Sequence, residues 1–376
     1  MKITKVLLKK IEIPFNVSFK HSSADRSVTE SVWVEMHSDS GAIGYGESCP
    51  REYVTEENID TVIQFFNDYI GTFQQEVIDL ISLKNWLNSH VDNINKNPAA
   101  MCAVELAFLD LLAKDNDKTI ESMLGQSELN ERFKYSAVLG DSSIEVFEST
   151  LDRYMKMGFS DYKVKLSGEL KKDQQKCEFL KVLSTGKARL RFDANNLWSN
   201  ATDAIRYLDA LDIEFFAIEE PLLPNMYSDM KVLMETSGKS IILDESFLRD
   251  DQFEHLKSYQ GDWLINLRVS KMGGLLRSKH IVDYAKTIGM KVIIGAQVGE
   301  TSLLTRAALT IASYAEDILV AQEGAFGDLL LEHDICEQPL MFGKYGELNI
   351  PANNEVYGFG FNEVDTKSFL SLSVHE

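Results

Sequence analysis

The sequence predicts an α/β protein: a TIM-type barrel of eight parallel strands, in the (β/α)8 or the modified (β/α)7β form, with an α+β capping domain at its N-terminal side. Beyond residue 133, eight apolar stretches alternate with amphipathic ones, as strands and helices do in a parallel barrel. In addition, charged residues end several apolar stretches at intervals of 25 to 28 residues, about the length of one strand plus one helix. These residues are Lys165, Asp193, Glu219, Asp244 and Lys271.

The N-terminal region has the alternation typical of antiparallel strands. Residues 1–15 and 31–36 alternate apolar and polar side chains, and residues 41–50 are predicted as a third strand. Between the first two strands lies a polar segment, residues 18–25, which we expect to be a functional loop. Helices are predicted over 56–73, 75–91 and 99–114. Together these elements predict an α+β capping domain over residues 1–125.

The predicted barrel covers residues 126–344. Its strands are expected at 135–139, 162–166, 190–193, 215–219, 241–244, 263–269, 291–296 and 318–322. An open doubly wound sheet is the competing fold, but no glycine-rich phosphate-binding sequence follows any of these strands. The strand and helix repeat stops near Glu347, so we expect the tail, about 345–376, to return to the capping domain.

The composition limits the partners and the location. With 38 Lys and Arg against 58 Asp and Glu, the formal net charge is −20, which repels phosphate backbones and anionic membranes. We therefore expect neither nucleic acid nor a membrane as a partner. We also expect no signal peptide and no membrane-spanning stretch, and hence a cytoplasmic protein. The four cysteines are too far apart in sequence for a metal knuckle or a redox pair and are expected as free thiols.

Three of the charged residues are carboxylates at successive strand ends: Asp193, Glu219 and Asp244. In a parallel barrel the carboxyl ends of all strands meet at one rim, so these side chains are expected to converge. Hard oxygen ligands suit Mg²⁺, with Mn²⁺ as an alternative, and the absence of His or Cys at the same strand ends disfavours zinc. A salt bridge or a helix cap would explain any one carboxylate, but not three in phase.

Lysines are predicted to flank the carboxylates. Lys163 and Lys165 are two apart on one strand and therefore face the same side. Their mutual repulsion favours a neutral amine, so Lys165 is predicted as a base, and Lys163 as its tuning neighbour or a contact for a substrate carboxylate. Lys271 ends the sixth strand, four strands further round, and approaches from the opposite side. A substrate between Lys165 and Lys271 could lose a proton at one face and regain it at the other.

At these motifs the chain resembles the enolase superfamily, in the muconate lactonizing enzyme subgroup with its dipeptide epimerases. The shared motifs are GYGES, AVELAFLDLLAK, KVK, RFDANNLW, IEEP, LDES and NLRVSKMGG. The resemblance implies that Asp193, Glu219 and Asp244 are Mg²⁺ ligands. It implies that Lys165 and Lys271 are a general acid/base pair acting on the α-proton of a carboxylate, through a metal-bound enediolate. It also implies a small-molecule carboxylate substrate and a homo-oligomer.

Substrate specificity is expected at the seventh and eighth strand ends, where the chain departs from this subgroup. Dipeptide epimerases usually carry an Asp-x-Asp pair after the eighth strand, but here the stretch is QEGAFGD. Gln297 and Glu323 are candidate hydrogen-bond partners of the substrate, with Glu300 behind them and Asp328 at the end of the stretch. A supporting role as polar groups of the rim is the equal alternative for Gln297 and Glu323.

The capping domain supplies candidate lid residues. Phe19 and His21 lie in the predicted first loop, and Arg51 and Tyr53 follow Pro50. We expect these residues to contact substrate, and their closure over the pocket would keep water from the enediolate. A solvated position in the loop is the alternative for His21.

Several functions are compatible with these residues. The leading hypothesis is an Mg²⁺-dependent isomerase that epimerises or racemises the α-carbon of an amino-acid derivative or dipeptide. The alternative is a muconate-type cycloisomerase or an o-succinylbenzoate-synthase-like lyase, which needs only one of the two lysines. A metal-binding barrel without turnover is a third possibility, and a Schiff-base aldolase would need a lysine but no metal.

Overall fold

A four-stranded antiparallel sheet and an eight-stranded parallel sheet organise the chain in the computed structural model. The structure describes residues 1–21, 24–129, 131–186, 188–258, 261–350 and 357–376, without the side chains of residues 17–21, 24, 25, 184, 185 and 258.

The antiparallel sheet joins the two ends of the chain. The N-terminal strands are β1 Ile3–Ile11, β2 Pro14–His21, β3 Ala24–Val28, β4 Ser31–Ser38 and β5 Ile43–Ser48. The C-terminal strand, Phe369–His375 (β16), pairs with β1 and gives the sheet the order β16-β1-β4-β5. One face of this sheet is buried because apolar residues alternate along β1, where Val6 and Leu8 are at most 1% exposed.

β2 and β3 form an antiparallel hairpin beside the sheet, where the sequence predicted a loop over 18–25. Apolar and polar residues alternate in sequence from residue 14 to residue 19, as in a strand, but the predicted strand ended at residue 15. Residues 22 and 23 lie outside the described part. Asn16 anchors the base of the hairpin. Its backbone N–H donates to the carbonyl of Leu330 (2.8 Å), and its side chain donates to those of Asp328 (2.8 Å) and Leu331 (2.9 Å).

Six helices complete the N-terminal region: α1 Glu52–Thr55, α2 Ile59–Glu76, α3 Leu80–Ser89, α4 Val91–Lys96, α5 Pro98–Asp115 and α6 Ile120–Met123. The side chains of Asn58 and Asp79 cap α2 and α3, which explains where these helices begin. α5 is buried on all sides from residue 98 to residue 113. β5 lies so close to α5 that a Cβ at Gly46 would be 2.0 Å from the carbonyl oxygen of Ala103, so only glycine fits there.

Eight parallel strands form the barrel: β7 Ala137–Leu139, β8 Asp161–Lys165, β9 Arg189–Asp193, β10 Ala217–Glu219, β11 Ser240–Leu243, β12 Trp263–Leu267, β13 Lys291–Ile294 and β14 Leu319–Gln322. They are hydrogen-bonded in sequence order from β7 to β14. A backbone hydrogen bond from Ser136 to the carbonyl of Gln322 (2.8 Å) joins the first strand to the last. Ala217, Ile242, Leu264 and Ile293 belong to a buried cluster contributed by neighbouring strands, as expected for a barrel interior filled with side chains.

Helices connect the strands: α7 Ile144–Met157, α8 Leu170–Leu180, α9 Ala201–Asp209, α10 Tyr227–Ser237, α11 Phe253–Ser258, α12 Val269–Met272, α13 Leu275–Thr287 and α14 Ser302–Tyr314. Short 3₁₀ turns occupy Lys181–Thr185, Asp250–Gln252, Gly327–Leu329 and Lys344–Gly346. In the described residues β14 is followed by a 3₁₀ turn and not by an α-helix, so the barrel has the (β/α)7β form of the two predicted. Arg132–Lys134 (β6) and Glu347–Asn349 (β15) pair antiparallel beside it.

The predicted barrel strands agree with the observed ones to within two residues at each end, and the predicted fold class is confirmed. One placement is wrong: β12 ends at Leu267, and Lys271 lies on the single-turn helix α12 and not at a strand end. The chain leaves the sheet at Arg268 because a helical turn that ends in Gly273 and Gly274 follows, both with positive φ (91° and 113°). Over the described ranges, none of the helices combines the length and the apolar character needed to cross a membrane.

Candidate active site

The charged strand-end residues meet at the carboxyl rim of the barrel. Asp193 and Glu219 are the last residues of β9 and β10, and Asp244 directly follows β11. In the sheet register Asp193 is the partner of both Glu219 and Lys165. Each of the three carboxylates is at most 2% exposed. Parallel pairing therefore places three buried oxygen donors in one row.

The ammonium group of Lys163 lies within this row. Its Nζ is 3.1 Å from Oδ2 of Asp193, 2.7 Å from Oε2 of Glu219 and 3.0 Å from Oε2 of Glu323. Burial opposes the charge, but the three carboxylates hold the pKa of Lys163 above its ordinary value. Lys163 is therefore a cation that balances the carboxylates and is not suited to accept a proton.

Lys165, on the same strand, has the opposite character. Its Nζ is 3.7 Å from Oδ2 of Asp193 and donates to Oδ1 of Asn195 at 3.0 Å. Burial lowers the pKa of Lys165; Asp193 opposes this effect and the positive charge of Lys163 reinforces it. Of the two lysines, Lys165 is the one suited to act as a base.

Lys271 lies at the other end of the carboxylate row. It is 1% exposed, and its Nζ donates to Oδ1 and the carbonyl of Asp244, each at 2.8 Å, and to the carbonyl of Asn266 at 2.7 Å. Burial lowers the pKa of Lys271, against the attraction of Asp244. Because Lys165 belongs to the second strand of the barrel and Lys271 follows the sixth, the two amines reach the row from its opposite ends.

Two residues of the row, Asn266 and Arg268, were not predicted from the sequence. Asn266 donates to Oε1 of Glu219 at 2.9 Å. Arg268 forms an ion pair with Asp244 and donates through Nη1 to Oε1 of Gln297 at 2.9 Å. Both residues belong to the NLRVSKMGG motif, and their spacing of two along an extended segment, which puts them on one face, was the available signal.

The chemical type of the donor atoms fits a divalent metal ion. Three buried carboxylates offer hard oxygens. Oε2 of Glu219 forms an ion pair with Lys163 at 2.7 Å and has no further hydrogen bond from the described residues. Burial, acting together with neighbouring carboxylates and against Lys163, raises the pKa of Glu219 to about 7, because one ammonium group does not offset the lost hydration and the repulsion of the other carboxylates.

Cationic side chains of the protein nevertheless pair with these carboxylates in the structure. Across the described part of the chain, no three His, Cys, Asp or Glu side chains are gathered closely enough to hold an ion as they stand. Lys163 bridges Asp193 and Glu219, and Arg268 pairs with Asp244. A metal ion shared by the three carboxylates therefore requires these two cations to move aside.

Glu323, a predicted substrate contact, has both oxygens occupied. Oε2 faces Lys163 at 3.0 Å, and Oε1 accepts from Nη2 of Arg191 at 2.7 Å. Burial opposes its charge, but Lys163 and Arg191 lower the pKa of Glu323 to about 2. Arg191 in turn pairs with Asp161 and donates to Oγ of Ser136 at 3.0 Å. In this arrangement Glu323 lines the pocket as the counter-ion of Lys163.

The other two predicted substrate contacts near the strand ends, Gln297 and Asp328, lie in different places. Gln297 lines the pocket, and its backbone N–H donates to Oε1 of Glu300 at 2.6 Å, so Glu300 lies behind it as expected. Asp328 is exposed and does not line the pocket. Its backbone carbonyl is held by Asn16 in a 3₁₀ turn and its carboxylate lies at the surface, so its contact with substrate stays a prediction.

The predicted lid residues Tyr53 and Arg51 also lie in different places. Tyr53, on α1, lines the pocket. Arg51 does not: it is fully buried. Its guanidinium donates to the carbonyls of Thr29, Glu30, Pro50 and Val298 at 2.6 to 3.1 Å. These donors fix loops of the cap and the barrel to each other, and the contact of Arg51 with substrate stays a prediction. The side chains of Phe19 and His21 lie outside the described part of the structure.

The pocket between these residues is small. Its volume is about 70 Å³, room for only a few water molecules. Its wall includes Val138, Val298, Phe326 and Glu245. Glu245 is buried, and its Oε2 accepts no hydrogen bond from the described residues.

Comparison with known proteins places the chain. Residues 147–361, more than half of it, match the family described as Enolase C-terminal domain-like. An N-succinyl-L-Arg/Lys racemase from Bacillus cereus is 22% identical, with 100% of this chain and 96% of that protein covered. A chloromuconate cycloisomerase from Cupriavidus pinatubonensis is 25% identical over 91% of this chain and 90% of that protein.

The fold has close counterparts among solved structures. A dipeptide epimerase from Cytophaga hutchinsonii, complexed with Mg and the dipeptide D-Ala-L-Val, superposes with a TM-score of 0.86 at 23% identity, covering 100% of both chains. This likeness confirms the barrel with its N-terminal cap, and the family match confirms the resemblance carried by the motifs. The chain belongs to the Enolase C-terminal domain-like family and is a member of the enolase superfamily.

Proposed function

We propose that this isomerase of the enolase superfamily is an Mg²⁺-dependent epimerase or racemase acting at the α-carbon of a small carboxylate, an amino-acid derivative or a dipeptide. One observation carries the proposal: two buried lysines, Lys165 and Lys271, have lowered pKa values and reach one carboxylate row from opposite ends. Inversion at a carbon needs a proton removed at one face and another delivered at the opposite face. A pair of amines placed in this way supplies both.

In this mechanism each lysine acts at one face. Lys165 takes the α-proton of one isomer as its neutral amine while Lys271, as its ammonium form, donates to the other face, and the roles reverse for the opposite isomer. Lys163 stays charged and attracts the substrate carboxylate. Mg²⁺ held by Asp193, Glu219 and Asp244 would stabilise the negative charge that develops as the α-proton leaves.

Within this proposal, the pocket best supports an amino acid with an acylated nitrogen as the substrate. A free ammonium group needs a carboxylate partner, but Glu323 is occupied by two cations and Asp328 is outside the pocket. The remaining carboxyl in the wall is Glu245. Burial and the neighbouring carboxylates of Asp244 and Glu220 raise its pKa, against the effect of Arg268, so it is a poor partner for an ammonium group. The B. cereus relative is by name a racemase of N-succinyl amino acids, which supports the same class.

Incubation in deuterium oxide tests the proposal. N-succinyl amino acids and dipeptides are offered to the protein with Mg²⁺, and the products are followed by proton NMR and mass spectrometry. We expect solvent deuterium at the α-carbon and the opposite isomer, with no other change in mass. A screen in which no substrate exchanges its α-proton contradicts the proposal.

The second candidate is a cycloisomerase or lyase. The absent Asp-x-Asp pair and the match to a chloromuconate cycloisomerase favour it. Ring opening, ring closure or loss of water in the same incubations would identify it, because only one of the two lysines is then needed. A homo-oligomer and a cytoplasmic location stay predictions from the sequence.

A further inference from the structure

The segment that carries Lys271 is held from outside the barrel. Lys271 lies on α12, a single helical turn between β12 and α13. The turn is closed by backbone hydrogen bonds from Met272 to Arg268 (3.0 Å) and from Gly274 to Val269 (3.1 Å). A helix this short has little stability of its own, because few of its backbone groups are bonded within it. Its position therefore depends on what surrounds it.

The first external contact is at Ser270, next to Lys271. Ser270 is fully buried, and its Oγ accepts a hydrogen bond of 2.9 Å from the backbone N–H of Cys49. Cys49 directly follows β5 of the antiparallel sheet. A residue adjacent to the second lysine is thus fixed to the backbone of the N-terminal region.

The second contact is at Glu105, in the middle of α5. Its Oε1 accepts the backbone N–H of Leu276 at 3.0 Å, at the start of α13. The backbone of Gly274 lies against the same carboxylate: a Cβ on Gly274 would be 2.4 Å from Oε1 of Glu105. Glu105 is fully buried, and a carboxylate at a helix N-terminus stabilises the exposed N–H groups. The far end of the Lys271 segment is therefore also fixed by the N-terminal region.

Lys165 has different support. It lies within β8, flanked by β7 and β9 in the sheet, and its polar contacts include Asp193 and Asn195, both of the barrel. Nζ of Lys271 also contacts barrel residues, Asp244 and Asn266. The backbone segment of Lys271, unlike that of Lys165, is fixed by the N-terminal region.

We propose that Glu105 and Ser270 are positioning residues for Lys271, through which the N-terminal cap sets proton transfer at one face of the substrate and not at the other. The inference rests on the two-lysine function proposed above. Small displacements of an acid or base cost catalysis steeply, about a hundredfold for 1 Å. Loosening the α12 segment should therefore affect the reaction at the Lys271 face selectively.

The experiment compares Glu105→Gln and Ser270→Ala with the wild-type protein. Exchange of the α-proton in deuterium oxide is measured separately for N-succinyl-L-lysine and N-succinyl-D-lysine as probes, or for the isomers of whichever substrate exchanges in the screen above. The Lys271→Ala variant identifies the isomer whose proton Lys271 removes. For that isomer we expect exchange to fall about tenfold or more in both positioning variants, and for the other isomer to change by less than about threefold.

Glu57→Gln is the matched control. Glu57 is a buried carboxylate that accepts the backbone N–H groups of Ala99 (2.8 Å) and Ala100 (2.9 Å) at the start of α5, so the chemical change is the same without contact with α12. We expect it to affect both isomers equally. A positioning variant that slows both isomers to the same extent, as a general loss of stability would, overturns the inference.

Amide hydrogen exchange gives a second measurement that does not depend on turnover. We expect residues 268–276 to exchange faster in Glu105→Gln and Ser270→Ala, while residues 161–166 stay unchanged. Unchanged protection of 268–276 in both variants would overturn the inference even if activity fell. If the wild-type protein exchanges no α-proton at all, the proposed function fails, and the amide measurement still decides the role of Glu105 and Ser270.

Discussion

Nζ of Lys163, on the second strand of the barrel, lies 3.0 Å from Oε2 of Glu323 at the end of the eighth. The same ammonium group bridges Asp193 and Glu219. Lys163 thus has two kinds of carboxylate partner: two that are proposed to bind a metal ion, and one that is held by Arg191. When an ion takes the first two, Glu323 is the partner that remains.

Replacement of Glu323 by Gln should weaken Mg²⁺ binding. Without this counter-ion, Lys163 is held more strongly by Asp193 and Glu219, where it competes with the ion. Loss of a group that supports metal ligands typically costs about tenfold in affinity, and we expect an increase of this size in the dissociation constant measured by isothermal titration calorimetry. Asp328→Asn, at the exposed carboxylate nearby, serves as the control. Equal affinities of Glu323→Gln and the wild type would contradict the role of Glu323.

The two lysines should be separable by mutation. Lys165→Ala and Lys271→Ala are each expected to reduce epimerisation by about a hundredfold or more, because each removes a general acid/base group. Each variant should still exchange the α-proton of one isomer in deuterium oxide, and the two variants should retain opposite isomers. Lys118→Ala, at an exposed lysine, should behave as the wild type. Full turnover by either variant is incompatible with a two-base mechanism.

Mg²⁺ should raise the unfolding temperature of the protein, since an ion that binds only the folded state adds stability by mass action, about 2.7 kcal/mol at a hundred times its dissociation constant. Differential scanning calorimetry with and without a chelator measures this. We expect Asp244→Asn to lose most of the increase and Asp251→Asn, at an exposed residue, to keep it. An increase that survives in Asp244→Asn would place the ion elsewhere.

Stability should fall as the pH rises from about 5 to about 8, in part because of Glu47. Burial raises the pKa of Glu47 to about 8 from 4.5, while Thr301 and Leu304 donate three hydrogen bonds to it. Between these values the folded state keeps a proton that the unfolded state has released, so unfolding becomes easier with rising pH. From pH 6 to pH 8 the contribution is on the order of 2 kcal/mol.

Chemical denaturation at several pH values tests this prediction. Other buried carboxylates with raised pKa values, such as Glu57 and Glu105, add to the slope in the wild-type protein. Glu47→Gln should therefore flatten the dependence of the unfolding free energy on pH without removing it. A variant whose slope equals that of the wild type would show that Glu47 does not carry the effect.

The strand ends were predictable from the sequence because each ended an apolar run with a charge. Asp193, Glu219 and Asp244 have this property, and the parallel barrel requires such positions to share a rim. The hairpin β2–β3 and the helical turn that carries Lys271 were not predictable in the same way. A single helical turn has no periodicity to detect, and a short alternating stretch between polar residues resembles a loop.

The sequence did not predict which groups pair with the charged side chains. Glu323 was predicted to face the substrate, but the structure joins it to Lys163 and Arg191 across the barrel. Arg51 was predicted as a lid residue, but its donors reach carbonyls far away in sequence, such as that of Val298. Such pairings depend on which side chains of distant strands come within hydrogen-bond distance, and that is set by packing and not by any local pattern.

The hydrogen bonds of Asn16 tie the base of the β2–β3 hairpin to residues 328–331, in the stretch that follows the eighth strand. Two regions in which the sequence predicts substrate specificity are therefore joined by hydrogen bonds. A substitution that shifts the stretch after β14 should therefore also shift the hairpin. A change in hairpin length should likewise alter the position of the stretch after β14. Directed evolution of a new specificity in this scaffold should consequently yield compensating pairs of mutations on the two sides of Asn16, and libraries that vary both sides together should succeed where either alone fails.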